Sequence, residues 1–263
     1  MAKSTALNFS NPFVFTYKTP FMQRIADVVR SGHVQYALGT IPLEKAGFLA
    51  HKFETQFKTH FSKVESCRAR MRGEHSARLL FLHQANSDHL TWVLLFQPGS
   101  VPDQSGQKWR DALTEKIIIT GYELVRHTRP GSKKPAWTWR YTPTQYDLQR
   151  DSIINAIRNK RDMDLRQSMH SISRSPGFAG VREQVKKLND LIKAEWKRRR
   201  AKSEPMPTTP HHGYTRRLPD RGCRLSELRR SAGKSRHSAS VAKRAAPLLR
   251  EFMPHAGNDT FAA

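Results

Sequence analysis

Two apolar runs separated by a short polar stretch place the strongest constraint on the fold. The runs are ARLLFLHQ, residues 77–84, and LTWVLLFQP, residues 90–98, and the residues between them include Asn86, Ser87 and Asp88. Short apolar runs bounded by such turn-forming residues are typical of two antiparallel strands. We therefore predict a β-hairpin over residues 77–98.

The segments on either side of the hairpin extend it to a pattern of strands and helices. Residues 33–41 alternate as a strand does, and residues 42–61 carry apolar side chains at helical spacing. The predicted order is strand, helix, hairpin, helix and two further strands: 33–41, 42–61, 77–98, 107–116, 117–128 and 136–142. This is the order of ferredoxin-like sheets, which include those of RNA-recognition domains and carry both helices on one face. We predict an α+β fold with a ferredoxin-like antiparallel sheet whose other face is open for binding.

The pattern changes after residue 142, and the chain divides into four predicted regions. Residues 1–142 form the ferredoxin-like domain, including an aromatic stretch and a short helix near its start, and 143–202 form a helical region. Residues 203–213 contain three prolines and are interpreted as a linker. Residues 214–263 are a basic segment that we expect to become ordered chiefly on its partner.

The charge of the chain points to a polyanionic partner. It has 46 Lys and Arg against 22 Asp and Glu, a net charge of +24. Phosphates relieve the self-repulsion of such a chain and release counterions, so nucleic acid is the first hypothesis. An anionic membrane surface and an acidic protein are the alternatives. Two cysteines cannot build a disulfide framework and no apolar run could span a membrane, so a cytoplasmic protein is expected.

The segment RPGSKKPAWTWRYT, residues 129–142, joins a basic loop to alternating aromatic residues. Trp137, Trp139 and Tyr141 would lie on one face of a strand, where they could stack on unpaired bases or pack in the core. The cations around the loop are predicted phosphate contacts, unless the loop is a solvated turn: Arg126, Arg129, Lys133, Lys134 and Arg140.

Two further groups of cations are predicted to contact phosphate, because the planar guanidinium donates hydrogen bonds in pairs. The first group extends from the end of the first long helix to the start of the hairpin and consists of Arg68, Arg70, Arg72 and Arg78. The second follows residue 190 and consists of Lys193, Lys197, Arg198, Arg199, Arg200, Arg216 and Arg217. A solvated helix end would explain the first group, and a nuclear-import segment would explain the second.

The histidines and arginines allow catalysis without a metal or cofactor, and neither is expected from the sequence. Cleavage of RNA by its own 2′-hydroxyl needs alignment, charge stabilisation and proton transfer. The candidate catalytic residues are His51, His33 and Arg24, with His60 as a further possible base. Each histidine could equally be a structural or surface residue.

The strand and helix order, together with the abundance of arginine, resembles the RAMP class of CRISPR proteins over residues 30–142. It is most similar to the endoribonucleases that cleave repeat RNA in type IV systems. The resemblance implies recognition of a repeat stem-loop, metal-independent cleavage, and retention of the product in a ribonucleoprotein complex, and it matches His51 to a catalytic histidine of the first helix. The chain departs from the class in lacking its glycine-rich loop, for which Gly177 and Gly180 are a poor substitute.

Two other functions fit the same sequence. A non-enzymatic DNA-binding accessory protein of a plasmid or mobile element could use the helices after Pro143 on a duplex. A structural protein of a ribonucleoprotein would explain the basic C-terminal segment. The sequence does not separate RNA from DNA as the partner.

Overall fold

The computed structural model describes residues 10–85, 87–97, 108–128, 131, 133–209 and 211–231. It confirms the α+β class. The strands are β1 Phe13–Phe15, β2 Gln35–Pro42, β3 Ser76–His83, β4 His89–Gln97, β5 Arg110–Asp111, β6 Ile118–Ile119, β7 Tyr122–His127, β8 Ala136–Tyr141 and β9 Gly222–Arg224. The helices are α1 Lys18–Arg30, α2 Ala46–Phe57, α3 Lys63–Met71, α4 Pro143–Arg158, α5 Asp162–Ser173, α6 Ala179–Arg199 and α7, residues 225–231.

The main sheet has the strand order β5-β2-β4-β3-β1-β9. The predicted hairpin is confirmed, since β3 and β4 pair antiparallel from Ser76 opposite Gln97 to His83 opposite Leu90. Strand β4 also pairs antiparallel with β2, so it lies between two strands that are joined by α2 and α3. This is a split βαβ unit, as the sequence pattern predicted.

The second half of the predicted pattern differs from the structure. A helix over 107–116 is wrong, because residues 110–111 form β5 and residues 112–115 turn away from it. The Asp111 carboxylate accepts a hydrogen bond of 2.8 Å from the backbone N–H of Leu113, which favours a turn over a helix. Strand β7 lies in a second sheet of order β6-β7-β8, and the short β5 occupies the place beside β2. The ferredoxin-like assignment therefore stays a prediction.

Both faces of the main sheet are covered in the described part of the chain, so the expected open face is wrong. On one face Leu82, Val93 and Leu95 are buried in a cluster with α1. On the other face Phe81 and Leu90 are buried against α2 and α7. The runs of 77–83 and 90–96 are apolar on both faces for this reason, as expected of a strand buried on two sides.

Helix α1 joins the main sheet to the second sheet and the later helices. Its buried side chains share one cluster with β8 and with apolar residues of α4, α5 and α6. The chain passes directly from β8 into α4, where Pro143 is the first helical residue and the Thr142 hydroxyl accepts from the backbone N–H of Gln145 at 3.2 Å. The predicted boundary at residue 142 thus lies at a helix cap, within one continuous core.

The chain returns across α1 through residues 211–224, which we call the C-terminal strap. Thr215 bonds to Gly177 twice, at 2.6 Å and 3.1 Å, and Gln23 bonds to the backbone of Arg216 and Leu218 at 2.8 Å and 2.9 Å. The strap ends as β9, which pairs antiparallel with β1. The expectation that the segment from residue 214 orders chiefly on a partner is thus wrong for residues 214–231; residues 232–263 lie outside the described part.

The contact between Gly177 and the strap gives a test of strap docking. A Cβ on Gly177 would lie 1.9 Å from the carbonyl oxygen of Gly213, a backbone atom that cannot yield without moving the strap. We expect Gly177→Ala to lower the free energy of unfolding by about 1–3 kcal/mol and to expose residues 211–224 to protease. The matched control is Gly213→Ala, whose Cβ meets nothing within 4 Å. Equal melting temperatures and digestion rates for the two variants would contradict this account.

Candidate nucleic-acid interface

A cleft of about 510 Å³ lies between α1, α3, the start of β3 and the C-terminal strap. We call it the arginine cleft. It brings together five residues that the sequence singled out for catalysis or phosphate binding: Arg24, His33, Arg70, Arg78 and Arg217. The rest of its lining includes Asp27, Asp220, Ser31, Ser66, Cys67 and Gln97. Residues distant in the chain thus form one polar site.

Helix α3 places Arg70 in the arginine cleft. Lys58 has a left-handed backbone, with φ of 53°, and α2 ends before it. A capping box then starts α3: Ser62 accepts from the N–H of Glu65 at 3.2 Å, and the Glu65 carboxylate accepts from the N–H of Ser62 at 2.7 Å. The predicted helix over 42–61 extends past the end of α2, and α3 was not predicted, although Ser62 and Glu65 have the spacing of a capping box.

Arg78, the third residue of β3, lines the cleft. Its guanidinium donates to the Phe61 carbonyl, to the Ser62 carbonyl at 3.3 Å and to the Ser66 hydroxyl at 2.8 Å. These three acceptors are neutral. Neutral groups therefore hold the guanidinium of Arg78 in place, and the Glu65 carboxylate attracts its charge without forming an ion pair with it.

Arg24 attaches the strap to α1. Its Nε donates to Asp220 at 2.5 Å, and its two terminal nitrogens donate to Asp27 at 3.1 Å and to the Leu218 carbonyl at 2.9 Å. The side chain is only 16% exposed. Its hydrogen bonds therefore go to the strap and to Asp27. The catalytic role assigned from the sequence stays a prediction.

His33 is 6% exposed and has hydrogen-bond partners at both ring nitrogens. Nδ1 lies 3.0 Å from the Ser31 hydroxyl, and Nε2 lies 3.2 Å from the hydroxyl of buried Ser76. Burial, which is the largest cause, and the nearby charges of Arg78 and Arg70 together lower the pKa of His33 to about 4. The imidazole is neutral at physiological pH.

The arginine cleft carries an excess of positive charge. Four guanidiniums face it, from Arg24, Arg70, Arg78 and Arg217, against the two carboxylates of Asp27 and Asp220. Arg24 and Arg217 are paired with those carboxylates. Arg70 and Arg78 form no ion pair with any described residue, so their charges are available to an anion. A phosphate group matches this site in charge and in hydrogen-bond acceptors.

The other predicted phosphate contacts lie outside the arginine cleft. Arg68 and Arg72 of the first group are exposed, and Arg72 is paired with Glu74 at 2.7 Å. Four cations lie on exposed positions of α6: Lys193, Lys197, Arg198 and Arg199. Arg216 is exposed on the strap next to Arg217.

Two predicted nucleic-acid contacts are wrong because their side chains are buried. Arg200 has a 3% exposed side chain, lies over the ring of Trp196 at 4.6 Å and is paired with Asp162 and Glu204. Trp139 is fully buried, and its indole N–H donates to the Met22 carbonyl at 2.9 Å. For Trp139 the core interpretation is the correct one, since its face of β8 packs against α1.

Some of the cations predicted to contact phosphate around the loop between β7 and β8 are exposed. Lys133, Lys134 and Arg126 are exposed, whereas Arg140 is paired with the buried Glu123 at 2.6 Å. Trp137 is half-buried at the edge of the core. Arg129 lies outside the described residues.

The remaining catalytic candidates are separate from the cleft. His51 is exposed on α2, and His60 is exposed beyond the end of that helix, with Nδ1 3.6 Å from Glu54. No group of three His, Cys, Asp or Glu side chains lies together as metal ligands among the described residues. No helix in the same residues is both long and apolar enough to cross a membrane.

The chain was compared with protein-family models, curated proteins and solved structures. No protein-family model, curated protein or solved structure matches the chain. Its function must therefore be inferred from its own residues.

The buried His33 predicts a pH dependence of stability. Its pKa is about 4 in the folded protein and about 6.5 in the unfolded chain, so the unfolded state takes up the proton first and stability falls as pH drops from about 6.5 to 4. Between pH 7 and pH 5 this loss is about 2 kcal/mol. In urea unfolding, His33→Gln should have a smaller pH slope, with a remainder from His212, whose pKa burial also lowers.

His51→Gln is the control, because it removes an imidazole from the exposed surface of α2. An unchanged pH slope in His33→Gln would show that the wild-type slope arises elsewhere.

Proposed function

We propose that this protein binds structured RNA and that the arginine cleft receives a phosphate of the RNA backbone. The observation that carries the proposal is the pair Arg70 and Arg78, two guanidiniums that face one cleft without a described carboxylate partner. Arginine donors in a fixed arrangement bind phosphate oxygens in pairs, and partial burial strengthens that attraction.

The distribution of the other cations supports a long polyanion over a small one. The net charge of +24 is far more than one phosphate needs, and exposed cations lie on α6 and on the β7–β8 loop as well as beside the cleft. Each cation that neutralises a backbone phosphate releases counterions and adds affinity. A folded RNA can place phosphates against several of these basic surfaces at the same time.

We further propose cleavage of the bound RNA as a second activity, with a CRISPR repeat hairpin as the first substrate to try. The arginine cleft combines a neutral imidazole with guanidiniums, the two kinds of group that a 2′-hydroxyl reaction uses. The base would take the 2′-hydroxyl proton while the oxygen attacks phosphorus and the 5′-oxygen leaves with a proton. The split βαβ unit supports the ferredoxin-like assignment that this proposal shares with the RAMP class. Retention of the product would make the protein a subunit of a ribonucleoprotein.

The alternative is binding of duplex DNA without catalysis. The observation that favours it is the row of exposed cations along α6, a helix of 21 residues. Helices present cations to a duplex groove in several DNA-binding motifs. Affinities for hairpin RNA and for duplex DNA of equal charge, measured at the same salt concentration, separate the two partners.

Replacement of Arg70 tests the phosphate site. We expect Arg70→Ala to weaken hairpin RNA binding about tenfold, and to lower the slope of log affinity against log salt by about 1, because one phosphate contact is lost. Fluorescence anisotropy at several salt concentrations measures both quantities.

Arg72→Ala is the matched control: Arg72 lies just past the end of the same helix, but it is paired with Glu74 and does not line the cleft. Equal losses in Arg70→Ala and Arg72→Ala would show that a diffuse basic surface, and not the cleft, binds the RNA.

Cleavage is tested with a repeat hairpin in EDTA. The expected product ends in a 2′,3′-cyclic phosphate, and a single 2′-deoxy substitution at the cleaved position should abolish it, because the nucleophile is then missing. His33→Gln and His51→Gln identify the base, since only one of them should reduce the rate while RNA affinity is kept. Tight binding of uncut hairpin by the wild type would leave the binding function and remove the catalytic one.

A further inference from the structure

A smaller pocket of about 140 Å³ lies beside the arginine cleft, and residues of the C-terminal strap line both. It is formed by α1, β8, the start of α6 and the strap. Asp27 and Arg217 line both spaces, and their ion pair of 2.8 Å is the partition between them. A group bound in the pocket would therefore lie next to a group bound in the cleft.

Aromatic rings distinguish the pocket from the cleft. Trp137 and Phe178 line it and are half-buried, and Tyr214 of the strap is 62% exposed at its margin. The wholly buried Trp139 contributes to its floor. An exposed tyrosine beside a partly covered tryptophan offers two flat apolar surfaces that water contacts in the free protein. Flat surfaces of this kind bind nucleobases by stacking.

The polar groups around the pocket are already engaged. Gln23 uses its side-chain amide on the strap backbone, with bonds of 2.8 Å and 2.9 Å. The hydroxyls of Thr138 and Thr215 accept from the backbone N–H groups of Gly180 and Gly177. The Gln23 amide and one acceptor site of each hydroxyl are thus committed to the strap and to α6. A ring bound here is held chiefly by its faces, since the aromatic side chains supply the largest flat surfaces of the pocket.

The edge of the pocket is cationic. Arg30 lines it from α1, and its guanidinium is 60% exposed and 3.3 Å from Asp27. Asp27 is thus shared by Arg24, Arg30 and Arg217. Asp27 and Asp220 together supply two negative charges against three guanidiniums, so an anionic group attached to the ring would be attracted to this edge.

We propose that the pocket holds an unpaired nucleobase of the RNA strand whose backbone phosphate binds in the arginine cleft. This inference rests on the proposed function and narrows its ligand to RNA with at least one unpaired nucleotide. The strand crosses the strap at the partition formed by Arg217 and Asp27, with base and phosphate on opposite sides. Single-stranded positions of a folded RNA meet this requirement, because their bases are free to leave the helix.

The test compares two probes of equal charge: an adenylate octamer, and a ribose-phosphate octamer that lacks the bases. Trp137→Ala and Tyr214→Ala should each weaken binding of the adenylate octamer by about 5- to 150-fold, with no change for the abasic octamer. Tyr214→Phe should bind as the wild type does, because it keeps the ring. Phe48→Ala, which removes an aromatic ring that is 57% exposed on α2, is the control and should change neither affinity.

Tyr214 keeps the test informative if Trp137→Ala unfolds, since an exposed tyrosine is not needed for the core. Unchanged affinity for the adenylate octamer in Tyr214→Ala, or an equal loss for both octamers, overturns the base pocket. Arg70→Ala separates this failure from failure of the proposed function, because it should weaken both octamers whether or not the base pocket exists. If the wild type binds neither octamer nor hairpin RNA, both proposals fall.

Discussion

The ion-pair network around Asp27 holds the candidate site together. Its carboxylate is within 3.3 Å of Arg24, Arg30 and Arg217, and Arg24 in turn reaches Asp220 and the Leu218 carbonyl. These bonds attach the C-terminal strap to α1, and the strap supplies one wall of each pocket. Exposed ion pairs contribute little singly. A shared network with a largely buried guanidinium at its centre is more favourable, and here it adds to the Gln23 and Thr215 hydrogen bonds that hold the strap in place.

The network also explains why a strongly basic chain has a defined site as well as a diffuse basic surface. Where cations are paired, as at Arg72 with Glu74, their charge is locally balanced. Where they are supported by neutral carbonyls and hydroxyls, as at Arg78, the charge remains. The arginine cleft contains Arg78 and also Arg70, which forms no ion pair with a described residue, so phosphate binding is expected there more than at paired arginines such as Arg72.

Local patterns predicted the elements that depend on local interactions. The hairpin of β3 and β4 and the helix α2 follow from apolar spacing in short windows, and the structure contains both. The strand β8 was predicted too, but spacing could not decide whether its rings face RNA or the core. That choice depends on α1, which covers Trp139 and leaves Trp137 at the edge.

The structure of the C-terminal strap could not be predicted from the sequence, because long-range contacts determine it. Residues 211–224 have neither helical nor strand periodicity, and they are held by hydrogen bonds to residues nearly two hundred positions away. The prolines and arginines in the segment suggested a linker and a tail, because no local sequence pattern indicates contact with a residue as distant as Gln23. The cleft as a whole was therefore not predicted, although five of its residues had been named singly.

The separation of 196 residues between Arg24 and Asp220 has a consequence for synthesis on the ribosome. Contacts between distant positions form late, because the chain must close a long loop before they contribute. A nascent chain that ends before the strap has α1 and the main hairpin but neither pocket. The protein therefore acquires its complete anion site only once residues 211–224 have been synthesised and have left the ribosome.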